Sequence, residues 1–150
     1  MTLVRPDSHG IPRWMMATLR EAAWAPILVI LVYILAARVL DLFQPFPQLD
    51  IPMHLAGGMA MSFFFYRAAR IGSRLGLLER RERGKDAVLV LVLTLGAALL
   101  WELGEFLSDR LYGTHEQLGL EDTITDVLVG LLGGGVMLAL VASVPSRRRR

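Results

Sequence analysis

The chain has 150 residues, of which 54% are hydrophobic, 20% are charged and none is cysteine. This length favours one domain, and the lack of cysteine excludes a disulfide-stapled module and a thiolate metal site. The apolar content excludes a disordered chain, and the net charge of +2 hides an uneven distribution of basic and acidic residues.

Four apolar runs predict membrane-spanning helices. A hydrocarbon core of about 30 Å needs roughly 20 helical residues, and three of the runs approach that length. The second run is shorter and needs Arg67 and Arg70 to reach the interface with their long side chains. We therefore predict an all-α fold, an integral membrane four-helix bundle that forms a single membrane domain over residues 1–150. The predicted spans are approximately 24–40, 52–69, 87–106 and 124–144, with a lead-in over 1–23 and a basic tail over 145–150.

The segment before the first span has alternative interpretations. Arg5, Arg13 and Arg20 could form the basic region of a secretory signal peptide, but the apolar run is long for one and three spans follow it. We interpret it as a retained span. Residues 11–23 are either a short interfacial helix, with Trp14 and Leu19 toward lipid, or an ordinary lead-in.

The basic residues predict the orientation. Fourteen of the 16 Lys and Arg residues precede the first span, lie between the second and third, or follow the fourth. With four spans these segments share one side, which the positive-inside rule assigns to the cytoplasm. We predict a multi-pass protein of the bacterial cytoplasmic (inner) membrane with the N and C termini inside. Its partner is the lipid bilayer, including anionic headgroups near Arg147–Arg150, and no nucleic acid is expected because no folded basic platform is present.

Acidic residues concentrate at the opposite, outer ends of the spans. Nine of the 14 Asp and Glu residues lie there, several at spacings of three or four that place side chains on one helix face. If these faces turn inward, they converge on one polar pocket open to the outside. The candidate metal ligands are Asp50, His54, Glu102, Glu105, Asp122 and Asp126, and the candidate catalytic residues are Glu102, Glu105 and Asp126.

Glu102 is the residue that is hardest to explain structurally. It lies about 22 Å along the third span, at 1.5 Å per residue, where an unpaired carboxylate costs ~2–3 kcal/mol or more. Trp101 beside it is explained as an interfacial anchor. Asp50 has the alternative role of a helix cap, and Thr123 with Asp126 fits a variant capping box. His54 and Glu102 have no such alternative.

The order of these motifs resembles a known family. The chain contains Asp50…His54-x-x-Gly57, Trp101-Glu102-x-x-Glu105 and Asp122-Thr123-x-x-Asp126-x-x-x-Gly130. This pattern resembles the YjdF-like bacterial inner-membrane proteins, a family of unknown function, and more distantly the VanZ-like membrane proteins. The resemblance implies a polytopic membrane protein with a shared polar motif and no established reaction.

Three functions remain open from the sequence. The first is a divalent-metal or acid/base site acting on a periplasmic or lipid-linked substrate, with Mg, Mn or Ca favoured by oxygen ligands and Zn or Fe by the imidazole. The second is a cation or proton transporter, for which an acidic vestibule is suitable. The third is a structural or accessory subunit whose polar cluster locks the bundle. Whether the protein is an enzyme, and its oligomeric state, stay open.

Overall fold

The computed structural model describes residues 10–78, 83–114 and 117–143. The regular secondary structure in these ranges is entirely helical, with no strand. A π-helical segment, Ile34–Val39, continues α2, and a short 3-10 turn, Pro47–Leu49, precedes α3. The helices are α1 (Gly10–Ala22), α2 (Trp24–Tyr33), α3 (Asp50–Arg74), α4 (Arg83–Tyr112) and α5 (Leu120–Ser143). Some of the basic residues lie outside the described ranges: the tail over 145–150, and also Arg5, Arg80 and Arg81.

Within the part of the chain that the structure describes, two helices are long and apolar enough to cross a membrane. These are α4 and α5. A third candidate is the pair of α1 with α2 and its π-helical continuation, bent by 52°, if the pair forms one span. The described residues therefore confirm an all-helical fold with two or three candidate membrane-spanning helices, while the four-helix bundle stays a prediction. The second predicted span corresponds to α3, which fails the same criterion because small and polar residues inside it, among them His54, Ser62 and Arg67, lower its hydropathy.

Helix α3 occupies the centre of the arrangement. Each of the other four helices packs against it. Its closest neighbour is α5, because glycine allows the two backbones to touch: a Cβ at Gly58 would overlap the carbonyl of Gly130, and one at Gly133 would overlap that of Leu55. Ser62 also donates its hydroxyl to the carbonyl of Gly134 at 3.0 Å. The first turns of α3 and α5 are thereby held side by side.

The amphipathic helix α1 docks against the other end of α3. The indole nitrogen of Trp14 donates to the carbonyl of Ala68 at 2.8 Å, and Glu21 accepts hydrogen bonds from Arg67 and Arg74. Trp14 is therefore half-buried against α3, whereas the interfacial-helix interpretation expected it to face lipid. Leu19 is exposed, as an interfacial helix requires.

Candidate functional site

Three helix ends meet at the end of the molecule opposite the α1–Arg67 contact. Helices α3 and α5 begin there and α4 completes its last turns there, because consecutive helices run antiparallel. The structure brings all six predicted metal ligands together at this point. They form three groups, and within each group one ligand atom per residue lies within 4.8 Å of the others: Asp50–His54–Glu105, His54–Glu102–Asp126 and Asp50–Asp122–Asp126.

The centre of this cluster is buried. The exposed fractions are 2% for Asp126, 4% for Glu102, 7% for Glu105 and 9% for His54. Asp50 and Asp122 are partly exposed and form its outer edge. Ionisable side chains are almost never so buried unless they are paired or coordinate a metal, so the partners of each group decide what the cluster can do.

The imidazole of His54 lies between carboxylates from three helices. Its Nε2 atom is 3.3 Å from Oδ1 of Asp50 and 4.0 Å from Oδ2 of Asp126, whereas Nδ1 is 3.8 Å from Oε1 of Glu102. Only the first of these separations is compatible with a hydrogen bond. One imidazole therefore faces several carboxylates, so the cluster is balanced only if it also holds protons or a cation.

One carboxylate oxygen in the cluster is left without a hydrogen bond. Oε1 of Glu102 is buried and has no hydrogen-bond partner. A buried polar atom of this kind is rare in folded proteins, and it points to a bound ion or strain at a functional site. Because the atom lies 3.8 Å from Nδ1 of His54, its free acceptor capacity lies inside the cluster.

Oε1 of Glu105, unlike Oε1 of Glu102, accepts a hydrogen bond from a neighbouring side chain. The indole nitrogen of Trp101 donates to Oε1 of Glu105 at 2.8 Å, and the Trp101 ring packs edge-on against Tyr33 with ring centres 5.0 Å apart. Neither aromatic residue was predicted from the sequence to belong to the site. The signal was the spacing of four between Trp101 and Glu105, which places the two side chains on one helix face.

The capping roles considered for Asp50 and for Thr123 with Asp126 are not formed. Leu49 precedes α3 without a side-chain cap, and Asp50 lies inside the helix. Helix α5 begins at Leu120, earlier than predicted, so Thr123 and Asp126 lie within it. Asp122 instead supports the start of α5, because its Oδ2 atom accepts from the backbone nitrogen of Leu118 at 3.0 Å.

Asp109 serves the connection between α4 and α5. It accepts hydrogen bonds from the Thr114 hydroxyl at 2.6 Å and from the Gln117 backbone nitrogen at 3.0 Å. It belongs to none of the three ligand groups, although it shares a face with Glu102 and Glu105 in the sequence. His115 and Glu116, at the outer end in the sequence, lie outside the described residues.

Comparison with known proteins identifies the family. A stretch of 98 residues is 29% identical to an uncharacterized protein of Thermotoga maritima, covering 61% of this chain and 46% of the relative. The match thus spans about half the length of that relative. No solved structure is significantly similar. Residues 11–147 match the sequence profile of the family described as "Predicted membrane protein (DUF2238)", and the chain therefore belongs to that family of membrane proteins.

Proposed function

We propose that this membrane protein binds a divalent cation in the cluster of Asp50, His54, Glu102, Glu105, Asp122 and Asp126, and uses the site for acid/base chemistry on a substrate at the membrane. The observation that carries the proposal is the buried Oε1 atom of Glu102, which lacks a hydrogen bond. A cation at this position would supply the missing partner. It would also offset the excess of carboxylates around His54.

The proposed topology has four spans, with α3 as the second. Its 25 residues correspond to about 37 Å of helix, enough to cross the hydrocarbon core. Its low hydropathy is compatible with this role, because α3 packs against all four other helices and its polar residues His54 and Ser62 are buried. Both termini would then lie on the basic, cytoplasmic side of a bacterial inner membrane, and the cluster would face outward.

The donor set favours a hard cation. Carboxylate oxygens dominate, and these suit Mg, Mn and Ca. The most buried group, His54–Glu102–Asp126, adds one imidazole nitrogen, which extends the candidates to Zn and Fe. We place the cation in this group, because it contains the oxygen without a hydrogen-bond partner.

The chemistry available at such a site is limited to a few roles. A bound cation polarises a carbonyl or phosphoryl oxygen, or activates a water molecule as a nucleophile. Glu102 and Asp126 would hold the cation. Glu105, held by Trp101, is the carboxylate best placed to donate or accept a proton.

Metal analysis tests the proposal directly. The protein is purified in mild detergent with and without added Mn²⁺, and bound metals are measured by elemental analysis. We expect one divalent metal per chain, lost in Glu102→Gln and in His54→Ala. Glu121→Gln is the matched control, since Glu121 is an exposed carboxylate on α5 outside the ligand groups. A wild-type protein without metal, even after purification with Mn²⁺, would refute the proposal.

The alternative functions predict different results. A cation or proton transporter predicts a flux in proteoliposomes that Glu102→Gln abolishes. The hydroxyls of Ser62 and Thr94, farther along the bundle, both donate to backbone carbonyls, so no observation favours a polar path inward. A structural role predicts that Glu102→Gln fails to accumulate in the membrane, whereas a cation site predicts normal accumulation.

We also propose a relation to two more narrowly defined groups of membrane proteins. The ordered motifs from Asp50 to Gly130 support a relation to the YjdF-like proteins, and the relation to the VanZ-like proteins is more distant. Neither supplies a reaction. The proposed function therefore depends on the side chains of the cluster and not on the relatives.

A further inference from the structure

A cavity of about 340 Å³ lies between α2, α3 and α4. Its volume falls in the range of roughly 300–1,000 Å³ that is typical of small-molecule sites. On α3 it extends from Asp50 to Met61, which corresponds to about 16 Å along the helix. The cavity is therefore elongated along the bundle.

The two ends of this cavity differ in chemistry. Asp50 and His54 line one end, and both belong to the ligand cluster. Elsewhere the wall is almost entirely apolar, formed by residues such as Val29 and Ile30 of α2 and Ala97 of α4. Two lining residues carry a hydroxyl group, Thr94 and Tyr33; the Thr94 hydroxyl already donates to the carbonyl of Val90, and the Tyr33 ring packs against Trp101 beside the ligand cluster. A ligand that fills the cavity must have a long apolar part and one polar end.

The cavity is bordered by surface that faces the bilayer. Helices α2 and α4 both pack on α3, but within the described residues no Cα atoms of α2 and α4 approach within 8 Å. Leu100 and Ile30 line the cavity and are also exposed on the outside of the helices, 70% and 43% respectively. Tyr33 and Trp101 join the two helices near the cluster. An entrance between α2 and α4 would therefore admit a molecule from the lipid phase.

We propose that this cavity holds one hydrocarbon chain of a membrane lipid whose phosphate head group contacts the cation of the cluster. This inference rests on the proposed cation site, because an acidic cluster attracts a phosphate only through a bound cation. Mg²⁺ in proteins is commonly held by one or two carboxylates together with substrate phosphates. A water-soluble substrate would leave the apolar part of the cavity unused. The substrate class assigned to the site is thus a phosphate-bearing lipid.

Gly57 provides a variant that tests the chain-binding cavity alone. It lines the cavity, and a Cβ atom added there meets no atom within 4 Å, so Gly57→Leu and Gly57→Phe fill the cavity without a backbone clash. Gly96 is the matched control, because its Cβ position is equally open and it is not part of the lining. None of these substitutions alters a cation ligand.

The experiment uses photoactivatable phosphatidic acid with a diazirine on one acyl chain, in phosphatidylcholine vesicles containing the full-length protein and Mn²⁺. We expect cross-links on peptides covering 26–33 and 94–101. In both Gly57 variants the labelling of these peptides should fall to the background labelling measured on the lipid-facing side of α5. In Gly96→Leu it should be retained. Metal binding is measured on the same samples as a control for folding. It should persist in the Gly57 variants. Labelling that is uniform over all spans and unchanged by Gly57→Leu would overturn the inference while leaving the cation site intact.

The head-group assignment is tested with the same diazirine chain on diacylglycerol. Phosphatidic acid should label the cavity more strongly than diacylglycerol, and EDTA or Glu102→Gln should remove the difference. Equal labelling by the two probes, with metal still bound, would overturn the assignment of a phosphate lipid. Absence of metal in the wild type would refute the proposed function and the phosphate contact together.

Discussion

Trp101 donates its indole N–H to Oε1 of Glu105 at 2.8 Å, one helical turn farther along α4. The same ring contacts Tyr33 of α2 and lines the apolar cavity. The residue therefore connects the ligand cluster, the cavity and the contact between α2 and α4. Any ligand that separates Tyr33 from Trp101 would also disturb the carboxylate of Glu105.

We predict that Trp101→Phe weakens cation binding. Phenylalanine keeps an aromatic ring beside Tyr33 but cannot donate to Glu105, whose carboxylate shares a ligand group with His54 and so affects the cation through that imidazole. The loss of a hydrogen bond behind a metal site typically costs 10–100-fold in affinity. An increase in the Mn²⁺ dissociation constant of about tenfold is expected, measured by titration with electron paramagnetic resonance. The control is Trp24→Phe, because Trp24 packs against Phe63 near the start of α2. An unchanged dissociation constant in Trp101→Phe would show that Glu105 does not depend on this hydrogen bond.

Asp122 and Asp126 are predicted to contribute unequally to the cation site. Asp126 is buried and shares a group with His54 and Glu102, whereas Asp122 is partly exposed and accepts from the Leu118 backbone. Asp126→Asn should therefore abolish stoichiometric metal binding, and Asp122→Asn should retain it, since an asparagine oxygen can still accept from Leu118. Equilibrium dialysis with Mn²⁺ measures both. Equal losses in the two variants would place the cation nearer the outer edge of the cluster.

The residues of the site were predictable because their spacing is a local property of a helix. Asp50 with His54, and Glu102 with Glu105, share helix faces whatever the tertiary structure. The inward direction of those faces was a hypothesis that needed the packing of α3 against α4 and α5. Asp109 shows the limit of the pattern, because it continues the face of Glu102 and Glu105 but binds the following loop.

The cavity and the central position of α3 could not be obtained from the sequence. Hydropathy measures how well a helix suits contact with lipid. It therefore underestimates the ability of a helix such as α3, which packs against the other helices, to span the membrane. A cavity arises where two helices fail to meet, and no residue type marks such a gap. Gly57 and Gly58 illustrate this: they are adjacent and identical in type, yet one faces open space and the other the backbone of Gly130.

Gly58→Ala is predicted to destabilise the protein, and Gly57→Ala is its control. A methyl group at Gly58 would overlap the backbone of Gly130, so α3 and α5 would have to separate. Overpacking of this kind costs about 1–3 kcal/mol, whereas alanine at the open Gly57 position is favoured by its higher helix propensity. Thermal unfolding in detergent, followed by circular dichroism, should give a lower midpoint for Gly58→Ala alone. Similar midpoints for both variants would contradict the close contact of α3 with α5.

The docking of α1 is predicted to fail at low pH because of Glu21. Partial desolvation tends to raise the pKa of this carboxyl, but the charges and hydrogen bonds of Arg67 and Arg74 outweigh it and hold the pKa below its usual value of 4.5. A lowered pKa in the folded state means that the contact is fully stabilising above the unfolded pKa and is lost as the pH falls through the folded value. The contact is therefore intact at neutral pH and is released only under acid conditions.

Trp14 is the natural reporter of this release, because its indole nitrogen donates to Ala68 when α1 is docked. In a background carrying Trp24→Phe and Trp101→Phe, the emission of Trp14 should shift to longer wavelength as the pH falls below 4.5, the usual value for Glu21. Glu21→Gln leaves the two arginines without a charged partner from α1, so its emission should be shifted already at neutral pH and should show no acid transition. An acid transition that persists in Glu21→Gln would mean that another group controls the docking of α1.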